Sequence, residues 1–438
     1  MKPSRYNFFF PYESDDSKLI AYNSFSNAMA LVDKDKHQIF VDFCDNGKPI
    51  NDDEFVLQLK KGRFLVEDKC NELDLIRLKM LKSRFNTRTL NLTIAPTADC
   101  NFRCPYCFEK DVLKPEYMTP EIEDALVSLV ESHAKTVASL SVAWYGGEPL
   151  MHFEPIKRLS KKFMELCAAN GVYYEARMIT NGYLLTKEIC ELLNELKIAT
   201  IQITLDGSQE IHDTRRPYVD GSGTFETIIG NIITCKDVLP KTNLRINVDK
   251  DNIESSKEVI KATQDAGLEG KVRPYLGMIM SSDKESSTGC FEPCGFAEKD
   301  FEFHRKVNAN IGAPMRQYPK HLSNYCAADS VNSLVVAADG KLYKCWIDIG
   351  DSSKSFANLT DKTVMDESTY LQYMLFDPTT EDGCRDCKVL PICMGGCPHV
   401  RNLEKNTCSR YKFVLDGYLG IVAEKLKIDK DLIMPATS

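Results

Sequence analysis

The sequence predicts an α/β protein whose working part is a parallel sheet covered by helices. Three observations predict it. Strand-like apolar runs recur six times between residues 90 and 280, helical patterns lie between them, and 438 residues, 43% hydrophobic and 27% charged, suffice to bury a large core in two or three domains. Such alternation gives a partial or full barrel, or a doubly wound sheet. In each, the chemistry lies beyond the C-terminal ends of the strands.

The elements follow in order. "KLIAYNSFSNAMALVDKDKHQIFVDF" reads as a hairpin with its turn at "DKDKH", and "DDEFVLQLKKG" and "NELDLIRLKMLKSRF" read as helices, so residues 1–89 form a small β-then-α domain. The six strands are "LNLTIAPT" (90–97), "LSVAWYG" (140–146), "EARMITN" (175–181), "IQITLDG" (201–207), "LRINVD" (244–249) and "KVRPYLGMIM" (271–280). After the first strand, Thr119 is the N-cap of a helix with Pro120 in its first turn and Ile122, Ala125, Leu126, Leu129 and Val130 on one face. Another helix follows Thr186, with Ile189, Leu192, Leu193 and Leu196 at the same spacing.

Composition excludes several roles. A net charge of −8 without a basic stripe makes nucleic acid an unexpected partner. No run approaches the roughly eighteen consecutive apolar residues of a membrane span, and "MKPSRYNFFFPYESDD" lacks a signal pattern, so the expected location is the cytoplasm. Seventeen cysteines are many for such a compartment. Cys44, Cys70, Cys167, Cys190 and Cys235 are isolated in apolar runs and read as small core hydrophobes. The rest fall in three places: Cys100, Cys104 and Cys107; Cys290 and Cys294; and Cys326, Cys345, Cys384, Cys387, Cys393, Cys397 and Cys408.

The loop "CNFRCPYC" (100–107) follows the first strand, and its Cys-x3-Cys-x2-Cys spacing with Tyr106 before the last cysteine resembles the signature of radical S-adenosylmethionine (SAM) enzymes. A zinc site is the plainer alternative, but structural zinc asks for four protein ligands. The resemblance implies a partial (β/α)6 TIM-like barrel over 90–312 and a [4Fe-4S] cluster on Cys100, Cys104 and Cys107, whose fourth iron is chelated by SAM itself. "WYGGEP" (144–149) resembles the family's second motif, which implies that Gly146, Gly147, Glu148 and Pro149 meet the ammonium of the bound methionine. "TNG" (180–182), "LDG" (205–207) and "HDTRRPYVDGSGTF" end and follow the next strands, and relatives carry similar residues there. Thr180, Asn181, Asp206 and Arg216 are therefore expected at the cofactor, Arg216 near its carboxylate. Asp206 reads equally as a turn-forming or helix-capping aspartate.

The seven C-terminal cysteines resemble the SPASM extension of radical enzymes that act on peptides and proteins, here over 313–438. A zinc ribbon is the alternative for Cys384 to Cys397 taken alone. The resemblance implies one auxiliary cluster on Cys384, Cys387, Cys393 and Cys408 and another on Cys326, Cys345 and Cys397, making three [4Fe-4S] clusters in all. Lys320 stands where some relatives place a further cysteine, so the last cluster either takes Cys290 or Cys294 or keeps an open iron for a substrate thiolate. The placement of residues 1–89 is similar to that of the winged-helix-like leader-peptide recognition domains of ribosomal-peptide maturases; a decoration or dimerisation element is the alternative.

The implied function is post-translational modification of a ribosomally made precursor peptide through a 5'-deoxyadenosyl radical, with thioether crosslinking of cysteine favoured and a flavodoxin- or ferredoxin-type electron donor. Carbon–carbon crosslinking, epimerisation, anaerobic sulfatase maturation and a non-catalytic iron-sulfur scaffold are the alternatives. Sulfatase maturases carry an aspartate directly after the cysteine matching Cys345, where this chain has Trp346 and a displaced Asp348. No general base is assigned, since His212 and His399 read as structural hydrogen-bonding residues.

Overall fold

The computed structural model describes residues 1–279, 289–311, 318–361, 366–403 and 408–426. Met280, which ends the sixth expected strand, and the expected boundary at 312/313 lie outside the described residues. The chain opens with β1 (Lys2–Pro3), β2 (Asn7–Pro11), β3 (Lys18–Asn23), β4 (Ala28–Asp33), α1 (Lys34–Asn46), α2 (Asp53–Lys61), β5 (Leu65–Val66) and α3 (Glu72–Arg84). β2, β3 and β4 form an antiparallel sheet in that order, and β1 pairs with β5. The expected helices are α2 and α3.

The expected hairpin turn is misplaced. The chain reverses at Ser24–Asn27, where the Asn23 side-chain oxygen accepts from the backbone N–H groups of Phe25 (3.0 Å) and Ser26 (2.8 Å), and "DKDKH" instead opens α1. The reason is packing phase. Phe40 is buried and, with His37 one helical turn earlier, lies against Phe9 at ring distances of 5.4 and 4.3 Å, a spacing only a helix offers on one face. Gly47, left-handed at φ 66°, closes α1.

Strand and helix then alternate: β6 (Thr89–Ile94), α4 (Pro120–Ala134), β7 (Ser139–Trp144), α5 (Phe153–Asn170), β8 (Tyr173–Ile179), α6 (Lys187–Glu195), β9 (Ile198–Thr204), α7 (Gln209–Arg215), α8 (Phe225–Cys235), β10 (Lys241–Val248), α9 (Ser256–Asp265) and β11 (Val272–Met278). They are followed by α10 (Pro293–Ile311), β12 (Ser333–Val336), β13 (Lys341–Tyr343), β14 (Ala357–Asn358), α11 (Glu367–Met374), α12 (Pro398–Asn402) and α13 (Tyr411–Leu426).

β6 to β11 lie side by side in chain order, each neighbouring pair parallel. A doubly wound sheet would reverse that order, and a closed barrel would join β6 to β11. β6 pairs instead with β12 in parallel, and β13 and β14 continue antiparallel, so the expected partial barrel is widened by three strands. Along β6, Leu90, Leu92 and Ile94 are buried while Asn91 and Thr93 take the other, half-buried face, the period of two that a curved sheet imposes.

Two compact units result. One holds residues 85–292 and 327–375, and the other the described residues of 1–84, 293–326 and 376–438. The second unit has its own core, in which Ile20, Tyr22 and Met29 of the N-terminal sheet pack with Val389, Ile392, Leu415 and Leu419. The N-terminal sheet and the segment around Cys387 therefore share one core. Phe40→Ala is expected to cost about 3–5 kcal/mol and Ile39→Ala, 42% exposed, less than about 0.5 kcal/mol, measured by denaturant unfolding; equal costs would contradict the helix.

Candidate active site

The loop after β6 carries Cys100, Cys104 and Cys107, all half-buried, and it is fastened to the end of β7. The N–H of Gly147 donates to the Thr97 carbonyl (3.3 Å), and that of Glu148 to the Asp99 carbonyl (2.9 Å). Any larger residue would separate them: a Cβ on Gly146, at φ +104°, would stand 2.5 Å from the Thr97 oxygen, and one on Gly147 2.1 Å from the Asp99 oxygen. Thr97 and Asp99 in turn brace the cysteines. Thr97 Oγ1 accepts from the Asp99 N–H (3.0 Å), and Asp99 Oδ1 from the Cys100 N–H (2.8 Å).

Glu148 is buried, and its carboxylate accepts from Leu150 N–H (3.0 Å), Thr180 Oγ1 (2.7 Å) and Asn181 N–H (2.7 Å). It thereby ties the end of β7 to the end of β8. Burial raises its pKa, and these donors oppose the rise. Pro149, also buried, opens the short 3-10 turn that follows. Asn181 Nδ2 returns to the cysteine loop, donating to Asn101 Oδ1 (2.7 Å).

Tyr106 crosses to the later strand ends. Its hydroxyl donates to Asp206 Oδ2 and accepts from Arg216 Nη1 (2.8 Å) and Asn247 Nδ2 (3.2 Å). The Arg215 guanidinium lies 5.0 Å from the Tyr106 ring centroid and pairs with Asp249 at 2.9 Å. His212 is buried, its Nδ1 accepting from Asp206 N–H (3.2 Å) and its Nε2 3.0 Å from Thr224 Oγ1. Burial, with Arg216 adding to it, pushes its pKa down to about 2, so it is a neutral structural group.

Two features of these residues fit the cofactors that the sequence implies. Burial raises all three thiols, Cys107 to about 12, and a bound cation would favour their thiolate forms. Buried donors also lack acceptors: Arg216 Nε and Asn101 Nδ2 have no partner, as suits an anionic group such as a carboxylate.

Three residues here were assigned no role from the sequence. Glu109 is 6% exposed and its Oε1 has no partner. Tyr145, buried after β7, stacks on Trp346 with ring centroids 5.5 Å apart, and Asn247 completes the Tyr106 network. Asp348, two residues beyond Trp346, is buried and accepts from Tyr373 OH at 2.6 Å. The period of two along β10 places Asn247 on the half-buried face, the one available clue.

In the other unit, Cys384, Cys387, Cys393 and Cys408 converge. Burial raises the Cys384 thiol first, and the other three sulfurs raise it further. The backbone N–H groups of Ser409 and Gly395 point at the Cys393 sulfur, and Lys412 Nζ donates to Cys408 Sγ at 3.3 Å. Four thiols with N–H donors fit a cubane. Tyr325 stands among Cys326, Cys393 and Cys397 of this unit, while Cys345 is in the barrel unit. Cys290 is half-buried, and Cys294 and Lys320 are exposed. His399 is half-buried at the start of α12.

The cysteine loop beyond the first barrel strand lies within residues 94–263, which match the family model of the Radical SAM superfamily. The chain is 22% identical over 347 residues to the cysteine-type anaerobic sulfatase-maturating enzyme of Clostridium novyi (strain NT), covering 73% of this chain and 90% of that one. Three further curated relatives are matched over 36–52% of their own length. Among solved structures, anSMEcpe with bound AdoMet is similar at TM-score 0.59 and 20% identity (78% of this chain, 100% of that chain). Streptococcus suis SuiB bound to S-adenosylmethionine is similar at TM-score 0.54 and 16% identity (93% and 97%). At these identities the likeness to the solved structures is one of fold.

Two predictions test the site. Gly147→Ala should cost at least about 2 kcal/mol and abolish iron retention by the cysteine loop, whereas Gly171→Ala, with open space around its Cβ, should cost about 1 kcal/mol and keep the iron. Burial alone pushes the Glu109 carboxyl from 4.5 up to about 7. A pKa raised on folding means that the penalty is absent below the unfolded value and complete above the folded one. Metal-free Glu109→Gln should therefore be more stable than the parent by a margin that grows from pH 4.5 to pH 7, reaching about 3 kcal/mol. A margin that does not change with pH would mean that Glu109 has a charged partner.

Proposed function

We propose that this radical SAM protein is a peptide maturase that crosslinks a cysteine sulfur of a ribosomally made precursor to carbon as a thioether. The observation that carries the reading is the position after Cys345. Trp346, stacked on Tyr145, stands where the sulfatase maturases that the chain resembles carry an aspartate, so the barrel mouth presents an aromatic wall there. When bound, SAM and its cluster supply one-electron, hydrogen-abstracting chemistry. The chain's own residues do the rest. Cys100, Cys104 and Cys107 would hold that cluster, Arg216 and Asn101 would offer unpartnered donors to the cofactor carboxylate, and Tyr106, fixed by Asp206 and Asn247, would orient Arg216. The Tyr145–Trp346 pair excludes water from the reacting atoms.

Auxiliary clusters on Cys384, Cys387, Cys393 and Cys408, and on Cys326, Cys345 and Cys397, belong to this reading. So do the segments 1–89, 90–312 and 313–438, a leader strand added to the edge of β2 or β4, and a flavodoxin- or ferredoxin-type donor. A second reading, oxidation of a cysteine or serine in a protein, is supported by the 90% coverage of the Clostridium novyi enzyme and by the buried Asp348 carboxylate. Among the described residues no helix is long and apolar enough to cross a membrane.

Anaerobic co-expression with short cysteine-containing peptides encoded beside the gene tests the proposal. Loss of two hydrogens with the cysteine blocked to alkylation is the expected product mass. The same loss with a free thiol would mean carbon–carbon crosslinking, an unchanged mass epimerisation or another substrate, and loss of the sulfur the sulfatase-type oxidation. Under dithionite, 5'-deoxyadenosine should form in the wild type and vanish in Cys104→Ala; its absence from both would leave a scaffold.

A further inference from the structure

The hydrogen bond from Lys412 to Cys408 goes beyond what any motif assigned. Lys412 is exposed at the start of α13, four residues after Cys408, and its Nζ donates to the Cys408 sulfur at 3.3 Å. Its field also reaches Cys387 and Cys384. Glu381 opposes it, acting on Cys384. Two further donors, the N–H groups of Ser409 and Gly395, act on Cys393.

We propose that Lys412 is a positioning residue that raises the reduction potential of a cluster held by Cys384, Cys387, Cys393 and Cys408, making it the readier electron acceptor. The inference rests on the auxiliary-cluster reading above. The physics is direct. Reducing a cubane adds one negative charge, shared with its thiolates, and a cation hydrogen-bonded to one thiolate stabilises the reduced form more than the oxidised one. A backbone N–H supplies a dipole only, whereas Lys412 supplies a full charge. Cys408 lies three residues before α13 and Lys412 is the helix's second residue, and this short stretch of chain sets the ammonium at the sulfur.

The test is an EPR-monitored redox titration of the anaerobically reconstituted full chain at 0.15 M salt, with iron counted, for wild type, Lys412→Met, Lys412→Gln and Lys412→Arg. The expected result is about twelve irons in each form. The reduced-to-oxidised ratio of one auxiliary signal, read at the wild-type midpoint, should fall about tenfold in Lys412→Met and Lys412→Gln, which is 59 mV for one electron. Lys412→Arg should keep the wild-type potential, and the SAM-binding cluster should not move in any variant. Full iron with potentials unchanged would overturn this inference alone. A wild type holding about four irons would overturn the auxiliary-cluster reading and this inference with it. Loss of about four irons in Lys412→Met and Lys412→Gln would also overturn it, because the lysine would then be needed for assembly rather than tuning.

Discussion

The barrel mouth depends on one close approach, that of Gly146 and Gly147 to the backbone of Thr97 and Asp99. It lets the loop after β6 lie directly on the end of β7, and every later fastening starts there. Gly147 and Glu148 donate to the loop carbonyls, Glu148 reaches Thr180 and Asn181, and Asn181 returns to Asn101 between the first two cysteines. The hydrogen bonds close into a ring through three strand ends. A ring of this kind holds the cysteine loop by backbone geometry. Removing either glycine opens the ring at its tightest point.

The ring also explains which parts were legible in the sequence. Spacing of cysteines, the Gly-Gly-Glu-Pro turn and the strand–helix rhythm are local, and each was readable because its chemistry fits within a few residues. The hairpin of residues 18–33 was readable as strands but not in its turn, since the "SFSN" reversal depends on Asn23 satisfying two backbone donors, while "DKDKH" carries equally polar residues. Glu109, Tyr145 and Asn247 were not legible because their roles come from neighbours far along the chain: Trp346 for Tyr145, Tyr106 for Asn247, and the lack of any partner for Glu109 Oε1. Nor could pattern reading reveal that Ile20 and Tyr22 share a core with Leu415 and Leu419, nearly four hundred residues on. Long-range packing leaves no periodic trace.

The two cysteine sets differ in the charges near them. Cys100 feels the Glu148 carboxylate and Cys104 feels Asp206, with Arg216 countering both, whereas the four-cysteine set has a lysine on one sulfur and backbone donors on another. Low dielectric magnifies such differences in buried sites. A metal centre among carboxylates is harder to reduce, and one beside an ammonium is easier.

Carboxylates at the barrel mouth limit what acid–base chemistry its residues can offer. Among those buried in the barrel unit are Glu109, Glu148, Asp206 and Asp348. Glu148 is occupied by three donors, Asp206 by the Tyr106 hydroxyl and the Asn247 N–H, and Asp348 by Tyr373. His212 is neutral and held on both nitrogens. Of these groups, Glu109 alone has a buried oxygen without a partner, and it lies two residues beyond the last cysteine of the loop. The aromatic pair Tyr145–Trp346 adds bulk at the mouth but no second acid or base. Such a mouth suits chemistry in which the protein orients the substrate and keeps water out, with few protons to move.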